Sequence, residues 1–332
     1  MKILITAPDN ETYSRYFPDF LLKRLEKSGE VIRNPLDRSL TYEEMSEMIT
    51  DVNVLVTHWG TPKIDAQMLE NAPSLQLIAH AAGSVANLVT EAIYDKKIPV
   101  LSANPVMARY VAESVLGYMI AGTHRFIQTD RILRSGGWNK LIPQQTSVFD
   151  ADIGLIGLGT VGRILLDLLA PFGCRVSVYD PFIKEDALDK WSFAKLCDFD
   201  TAMSKPIVSV HASKTPETYH MIDEKALAKM ADGALLINSA LASVIDTEAL
   251  IRKLQEKSIY AVIDVYDKEG AGNIAQELLD EESCTLLQPH SAAIAGCWQL
   301  TEAVIDDIER FADGVKTQLD VSRAQFLLMT KE

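Results

Sequence analysis

The stretch DIGLIGLGTVG, Asp152 to Gly162, decides the fold. Asp152–Ile156 is a short apolar run of strand character. Gly157, Gly159 and Gly162 then fall in the spacing GxGxxG, with Thr160 and Val161 between them, and a helical pattern over Ile164–Ala170 follows. Strand, glycine turn and helix in this order form the first unit of a dinucleotide-binding fold. Gly157 allows the tight turn, Gly159 lets backbone approach a pyrophosphate, and Gly162 lets helix and strand pack closely. The start of the helix offers N–H groups to the phosphates. The acidic partner expected of such a unit is Asp180, at the end of RVSVYD and 18 residues past Gly162. A carboxylate there accepts hydrogen bonds from the adenine ribose and repels a 2′-phosphate, so NAD is expected rather than NADP. The structural alternative is an Asp that caps the turn before Pro181.

Outward from this unit, short β-branched runs alternate with helical patterns from end to end. In the second half the strands are DIGLIG, RVSVYD, IVSVHA, ALLINSA, YAVIDVY and CTLLQP. In the first half they are KILITA (Lys2–Ala7), VIR, VNVLVTH (Val52–His58), LQLIAHA (Leu75–Ala81) and PVLSA, with a helix expected around Phe17–Lys27. Such alternation marks βαβ units and parallel sheets. The expected class is α/β, with two doubly wound parallel-sheet domains, the second a Rossmann NAD-binding domain. One long helix is expected between the two series, roughly Val106–Ser135, since Val111, Val115, Met119 and Ile120 follow a helical period. Gly136-Gly137 would stop it. A last amphipathic helix, around Gln299–Phe311, is expected to return to the first half and make that domain discontinuous.

Composition narrows the function classes. A chain of 332 residues with 48% apolar content holds enough material for two cored domains. Lys and Arg number 32 against 46 Asp and Glu, a net charge of −14. An acidic surface repels phosphate backbones and anionic membranes, so neither nucleic acid nor membrane is an expected partner. No run of about 18 apolar residues occurs. The start, MKILITAPDN, has no signal-peptide pattern. Cys174, Cys197, Cys284 and Cys297 form no CxxC pair, and neither they nor the histidines are spaced as metal ligands. A cytoplasmic protein without a metal, acting on a small molecule, is the expectation.

The stretches AAGSVANLVT, NPVMARYVAES, GLIGLGTVG, VYDP, VSVHASKTPETYHMI, LLINSA, IDVYDKE and QPHSA stand in this order along nearly the whole chain. In this the chain resembles the D-isomer-specific 2-hydroxyacid dehydrogenase family, whose members include D-3-phosphoglycerate dehydrogenase and D-lactate dehydrogenase. The resemblance implies a substrate domain at residues 1–103 plus 292–332 and an NAD-binding domain at 104–291. It also implies a homodimer, through the long helix that starts at Arg109 to Glu113. The implied reaction is NAD-dependent hydride transfer at the CH–OH carbon of a small 2-hydroxy acid or related alcohol. His290, in QPHSA, would exchange the proton at the substrate oxygen. Glu269, in DVYDKE, would pair with it and raise its pKa; Gly270 stands where the family carries proline. The loop Ala82–Asn87, with Ser84, Val85 and Ala86, would hold the substrate carboxylate through backbone N–H groups. His211 and Asp264 are expected at the cofactor.

One position departs from the pattern. After LLINSA the family carries arginine and then glycine; this chain carries Leu241 and Ala242. No arginine occurs between Arg175 and Arg252, so a local shift of register cannot restore it. Truncating one partner of a buried, hydrogen-bonded charge pair costs about 2–5 kcal/mol. At about 1.4 kcal/mol per decade, that is a loss of roughly 30-fold to several thousand-fold. Three readings follow. The substrate anion is held by another cation, for which Arg109 and Arg33 are candidates. Or the substrate sets an apolar group against Leu241. Or the chain is an NAD-binding homologue with lost or altered catalysis. The retained His290 and Glu269 favour an enzyme.

Overall fold

The structure is a computed structural model that describes residues 1–138, 145–266, 274–288, 297–327 and 329. The chain divides into two compact units, residues 1–107 with 296–332, and residues 108–295.

The first unit is built on β1 (Lys2–Ile5), β2 (Glu30–Arg33), β3 (Val54–Thr57), β4 (Leu77–His80) and β5 (Val100–Ser102). Their order is β2-β1-β3-β4-β5 and every pairing is parallel. β3 and β4 are buried at each position, which suits their unbroken runs VLVT and LIAH in a sheet covered on both faces. Successive side chains point to opposite faces. Leu4, Leu55, Ile78 and Val100 enter one core, while Ile3, Ile5, Val54, Val56, Leu77 and Ala79 enter the other. The helix Cys297–Ala312 covers the second face with Leu300, Val304, Ile305 and Ile308. Burying each such side chain contributes about 1.5–3 kcal/mol before entropy is counted. The same helix carries the buried Asp307, whose carboxylate accepts the N–H groups of Gln318 and Leu319 at 2.7 Å each and Nη1 of Arg310 at 3.0 Å. That anchors the segment leading to the antiparallel bridge between Asp320 and Leu101.

The second unit holds β6 (Asp152–Ile156), β7 (Arg175–Tyr179), β8 (Ala194–Leu196), β9 (Ile207–Val210), β10 (Leu235–Asn238), β11 (Tyr260–Ile263) and β12 (Cys284–Leu286). Their order is β12-β11-β10-β9-β6-β7-β8, again all parallel. The chain enters at β6, builds outward through β7 and β8, then crosses to β9 and builds the other way. The sheet is doubly wound, and its order reverses between β6 and β9. A reversal of this kind opens a crevice at the carboxyl ends of the strands.

Four elements differ from expectation. The second sheet has seven strands, not six: β8 is three residues long with one buried side chain, Ala194, too short to show a period. The helix expected around 17–27 is Asp19–Leu25, capped by Pro18 in extended backbone, and a further short helix, Glu11–Tyr16, precedes it. The helix after the glycine turn begins at Thr160, since Gly159 itself is its N-cap. The single helix expected over 106–135 is two, Asn104–Thr123 and Phe126–Arg134. The break is at Arg125, which takes a left-handed conformation, φ 55°. Its buried guanidinium donates to the carbonyls of Gly122 and, at 2.9 Å, Gly233, and lies 3.4 Å over the ring of Tyr260. Contacts with residues more than 100 positions away outweigh the helical preference of the segment. Among the described residues no helix is long and apolar enough to cross a membrane.

Candidate active site

The glycine turn sits where the sheet reverses. Gly157 has φ +90°, and a Cβ there would stand 2.9 Å from the Ala212 nitrogen and 3.0 Å from the His211 carbonyl carbon. Its N–H donates to Tyr179 O at 2.8 Å, and the His211 N–H donates to Ile156 O at 2.7 Å. The turn is therefore wedged between the exits of β7 and β9, and only glycine fits. A Cβ on Gly162 would lie 3.1 Å from Gly157 O and 3.2 Å from Leu155 Cδ2, which seats the helix Thr160–Leu169 tightly on β6. Gly159 is different: among the described residues a Cβ there would meet nothing within 4 Å. Among the described residues no side-chain cap bonds this helix start, which leaves its first-turn N–H groups available to a ligand. An open backbone face over a positive helix start fits a pyrophosphate.

Asp180 lies against the same turn. Its Oδ2 accepts the Leu158 N–H at 2.8 Å and its Oδ1 accepts the Phe182 N–H at 2.9 Å. It thus shapes the turn at Pro181 and braces the glycine loop together. A carboxylate has about four acceptor sites, so capacity remains for ribose hydroxyls. The local role leaves room for the expected cofactor contact.

The other expected residues of this unit line the same edge. His211 follows β9; its Nε2 pairs with Ser209 Oγ at 2.9 Å, and burial pushes its pKa down to about 4, so the ring is neutral at pH 7. Asp264 follows β11 and is buried, with Oδ2 accepting Tyr118 OH at 3.1 Å. The sequence reading does not single out Tyr118, although it extends the stripe of Val111 and Val115 by one more step along the helix Asn104–Thr123. Leu241 follows β10 in extended conformation, φ −146° and ψ 139°, ahead of a short turn at Ala242–Val244. Asn238 clamps this exit: its Nδ2 donates to Leu241 O and its Oδ1 accepts the Ala240 N–H, both at 3.1 Å. The Leu241 side chain is half-buried against the core of the unit. Asp180, the glycine turn, His211, Leu241 and Asp264 therefore stand at the carboxyl ends of β7, β6, β9, β10 and β11, five successive strands.

In the first unit the expected carboxylate loop follows β4. The Ala81 N–H donates to Thr57 O at 2.9 Å, and the Ser102 hydroxyl donates to Gly83 O at 2.5 Å. Val85 and Ala86 are buried, Val85 within the core beside Leu88 and Val89. Ser84 is exposed, and its Oγ accepts the Ala86 N–H at 3.2 Å. Val85 therefore anchors the loop while Ser84 faces outward. His290 and Glu269 lie outside the described residues. Among the described residues no group of three or more His, Cys, Asp or Glu is placed to hold a metal ion.

Residues 116–292 match the family described as D-isomer specific 2-hydroxyacid dehydrogenase, NAD binding domain. The chain is 30% identical over 312 residues to a glyoxylate reductase of Thermococcus litoralis, covering 91% of this chain and 93% of that protein. It is 31% identical over 271 residues to a D-3-phosphoglycerate dehydrogenase of Methanocaldococcus jannaschii, covering 81% of this chain but 49% of that protein. A solved protein of Thermus thermophilus superposes with a TM-score of 0.77 at 23% identity, over 97% of this chain and 100% of that one, a likeness of fold.

Proposed function

This chain belongs to the D-isomer-specific 2-hydroxyacid dehydrogenase family, and we propose that it is an NAD-dependent oxidoreductase acting at the CH–OH carbon of a small 2-hydroxy acid or its 2-keto partner. The observation that carries this reading is the open face at Gly159 over an uncapped helix start, with Asp180 hydrogen-bonded to the same turn. NAD bound there supplies hydride acceptance or donation. Gly157 to Gly162 hold the pyrophosphate, Asp180 the adenine ribose, and His211 and Asp264 complete the cofactor edge. Residues 104–291 form the NAD-binding domain, and residues 1–103 with 292–332 the substrate domain.

The chain's own groups do the rest. His290 gives or takes the proton at the substrate oxygen, and Glu269 favours its charged form. Backbone N–H groups of the loop at Ser84 to Ala86 receive the carboxylate, where they act as fixed dipoles. Leu241 sets an apolar surface where the family carries a cation. The protein works in the cytoplasm as a homodimer. In support, no disulfide joins the four cysteines, and the helix Phe126–Arg134 buries none of its side chains, leaving Phe126, Ile127 and Leu133 exposed near Trp138 in sequence.

NADH oxidation against glyoxylate, hydroxypyruvate, larger 2-keto acids and neutral carbonyl compounds tests the assignment. The wild type reduces at least one class, and His290→Ala lowers its kcat by about 10²- to 10⁴-fold. Leu241→Arg raises kcat/KM for the small keto acids by roughly 30-fold or more, the inverse of the loss a missing clamp entails. NADH binding with no carbonyl reduced, or full activity in His290→Ala, refutes it.

A further inference from the structure

The segment after the helix Cys297–Ala312 stays within the first unit and runs from the edge of its sheet to the loop at Ala82–Asn87. β5 stands at that edge, with β4 on one side. The segment lies along its other side. The Ser102 N–H donates to Leu319 O at 3.0 Å, and the Val321 N–H donates to Val100 O at 2.8 Å. The strand edge is thereby covered. The helix Arg323–Leu327 follows, tied to the helix Glu91–Asp95, which begins just past the loop. Arg323 pairs with Glu91 and, at 2.9 Å, with Asp95. Phe326 is buried, with its ring 5.2 Å from that of Tyr94. Val321 and Phe326 join the core that holds Val85, Leu88 and Val89. The ion pairs are exposed and add little; the apolar contacts fix the position of the segment.

Met329 then meets the loop itself. Its N–H donates to Phe326 O at 3.1 Å, and its side chain packs half-buried against the same core. Its Sδ receives the Ser84 hydroxyl at 3.9 Å, and Ser84 Oγ in turn accepts the Ala86 N–H at 3.2 Å. A thioether is a weak acceptor, so this contact works through packing more than through bond strength. A second hold comes from β5: the Ser102 hydroxyl donates to Gly83 O at 2.5 Å, and its Oγ accepts the Asn104 N–H at 3.1 Å. Ser102 is the residue whose own N–H is bonded to Leu319. Both holds on the loop therefore depend on one segment. Backbone dipoles that are fixed beforehand bind an anion without a further cost of ordering, and dipoles that wander do not.

We propose that the segment carrying Leu319, Val321, Phe326 and Met329 is a strap that fixes the loop at Ala82–Asn87 for substrate binding, with Met329 as the positioning residue at its contact with Ser84. This rests on the reading that backbone N–H groups of Ser84 to Ala86 receive the substrate carboxylate.

The test compares the wild type with Met329→Ala and Met329→Leu by amide hydrogen exchange and by NADH-dependent reduction of glyoxylate. The amides to follow are those of Ala86, Leu88 and Val89, bonded to Ser84 Oγ and Val85 O. In Met329→Ala they exchange about 10-fold faster. KM for glyoxylate rises about 3- to 30-fold, while kcat and the Kd for NADH stay within about twofold of wild type. Met329→Leu restores the packing and recovers most of both effects. Exchange of the three amides unchanged in Met329→Ala overturns the strap. Faster exchange with KM unmoved upholds the hold on the loop and refutes the loop as the carboxylate site. If no keto acid is reduced, the reductase reading fails separately, and the exchange rates alone decide the strap.

Discussion

Alanine at Gly157 and alanine at Gly159 add one methyl group each, two residues apart, and are expected to act in opposite ways. At Gly157 the backbone sits at φ +90°, where an L side chain costs about 1–2 kcal/mol. The new Cβ would also stand 2.9 Å from the Ala212 nitrogen and 3.0 Å from its Cα and from the His211 carbonyl carbon. All of these are backbone atoms at the exit of β9, so the strand end must move; forced overpacking of this kind costs about 1–3 kcal/mol. The sum, about 2–5 kcal/mol, corresponds to a drop in Tm of roughly 4–20 °C for a unit of this size. At Gly159 the backbone is at φ −77° and ψ −161°, open to any residue, and the new Cβ meets nothing within 4 Å among the described residues. Restricting the unfolded chain there stabilises by about 0.4–1 kcal/mol. The methyl group would instead fill the face that a pyrophosphate needs. Losing one charge-assisted hydrogen bond, about 1.5–3 kcal/mol, weakens NADH roughly 10- to 150-fold. Thermal unfolding and NADH calorimetry on both variants separate the effects. A Gly159→Ala protein that binds NADH within about twofold of wild type would refute the placement of the cofactor on this turn.

Three further outcomes are expected. Asp180→Ala leaves the buried Leu158 N–H without its acceptor, which costs about 1–3 kcal/mol, and narrows the preference for NADH over NADPH; equal preference ratios in variant and wild type would dissociate Asp180 from the ribose. Asp307→Ala removes the acceptor shared by Gln318, Leu319 and Arg310 and lowers stability by about 3–5 kcal/mol, read from urea midpoints; a loss below about 1 kcal/mol would mean that this segment is anchored otherwise. The third concerns pH. Burial holds His58, His80 and His211 neutral, at pKa values of about 4, 3 and 4 against 6.5 when solvated. The unfolded chain therefore binds more protons between pH 6.5 and 4, and stability falls as pH drops through that window. The slope is at most about 1.4 kcal/mol per pH unit for each histidine. His58→Phe flattens it, and an unchanged slope in that variant would exclude His58 as a contributor.

The reading of Asp152–Gly162 carries over to the structure because everything it uses is local. Glycine spacing reports backbone geometry within one turn, and unbroken apolar runs such as VLVT and LIAH report strands buried on both faces. From these the α/β class, the Rossmann unit, and the gathering of Asp180 with the glycine turn are already legible. Pro18 fixes the start of the helix expected around Phe17–Lys27, since a proline at a helix start marks its boundary. His290 and Glu269 are named from their motifs alone.

What tertiary structure decided are contacts between segments far apart in the chain. Arg125 breaks a helix whose own residues favour continuing, because Gly233 and Tyr260 offer it a carbonyl and a ring. Asp264 meets Tyr118 across 146 residues. Trp59 becomes a fixed, half-open face only where His58 and Tyr16 close around it. No periodicity encodes these pairings. They arise when parallel strands bring distant segments together at their ends, the amino ends of β10 and β11 for Arg125 and the carboxyl ends of β11 and β3 for Asp264 and Trp59, and burial there settles which side chains are neutral, which are braced, and which are left facing outward.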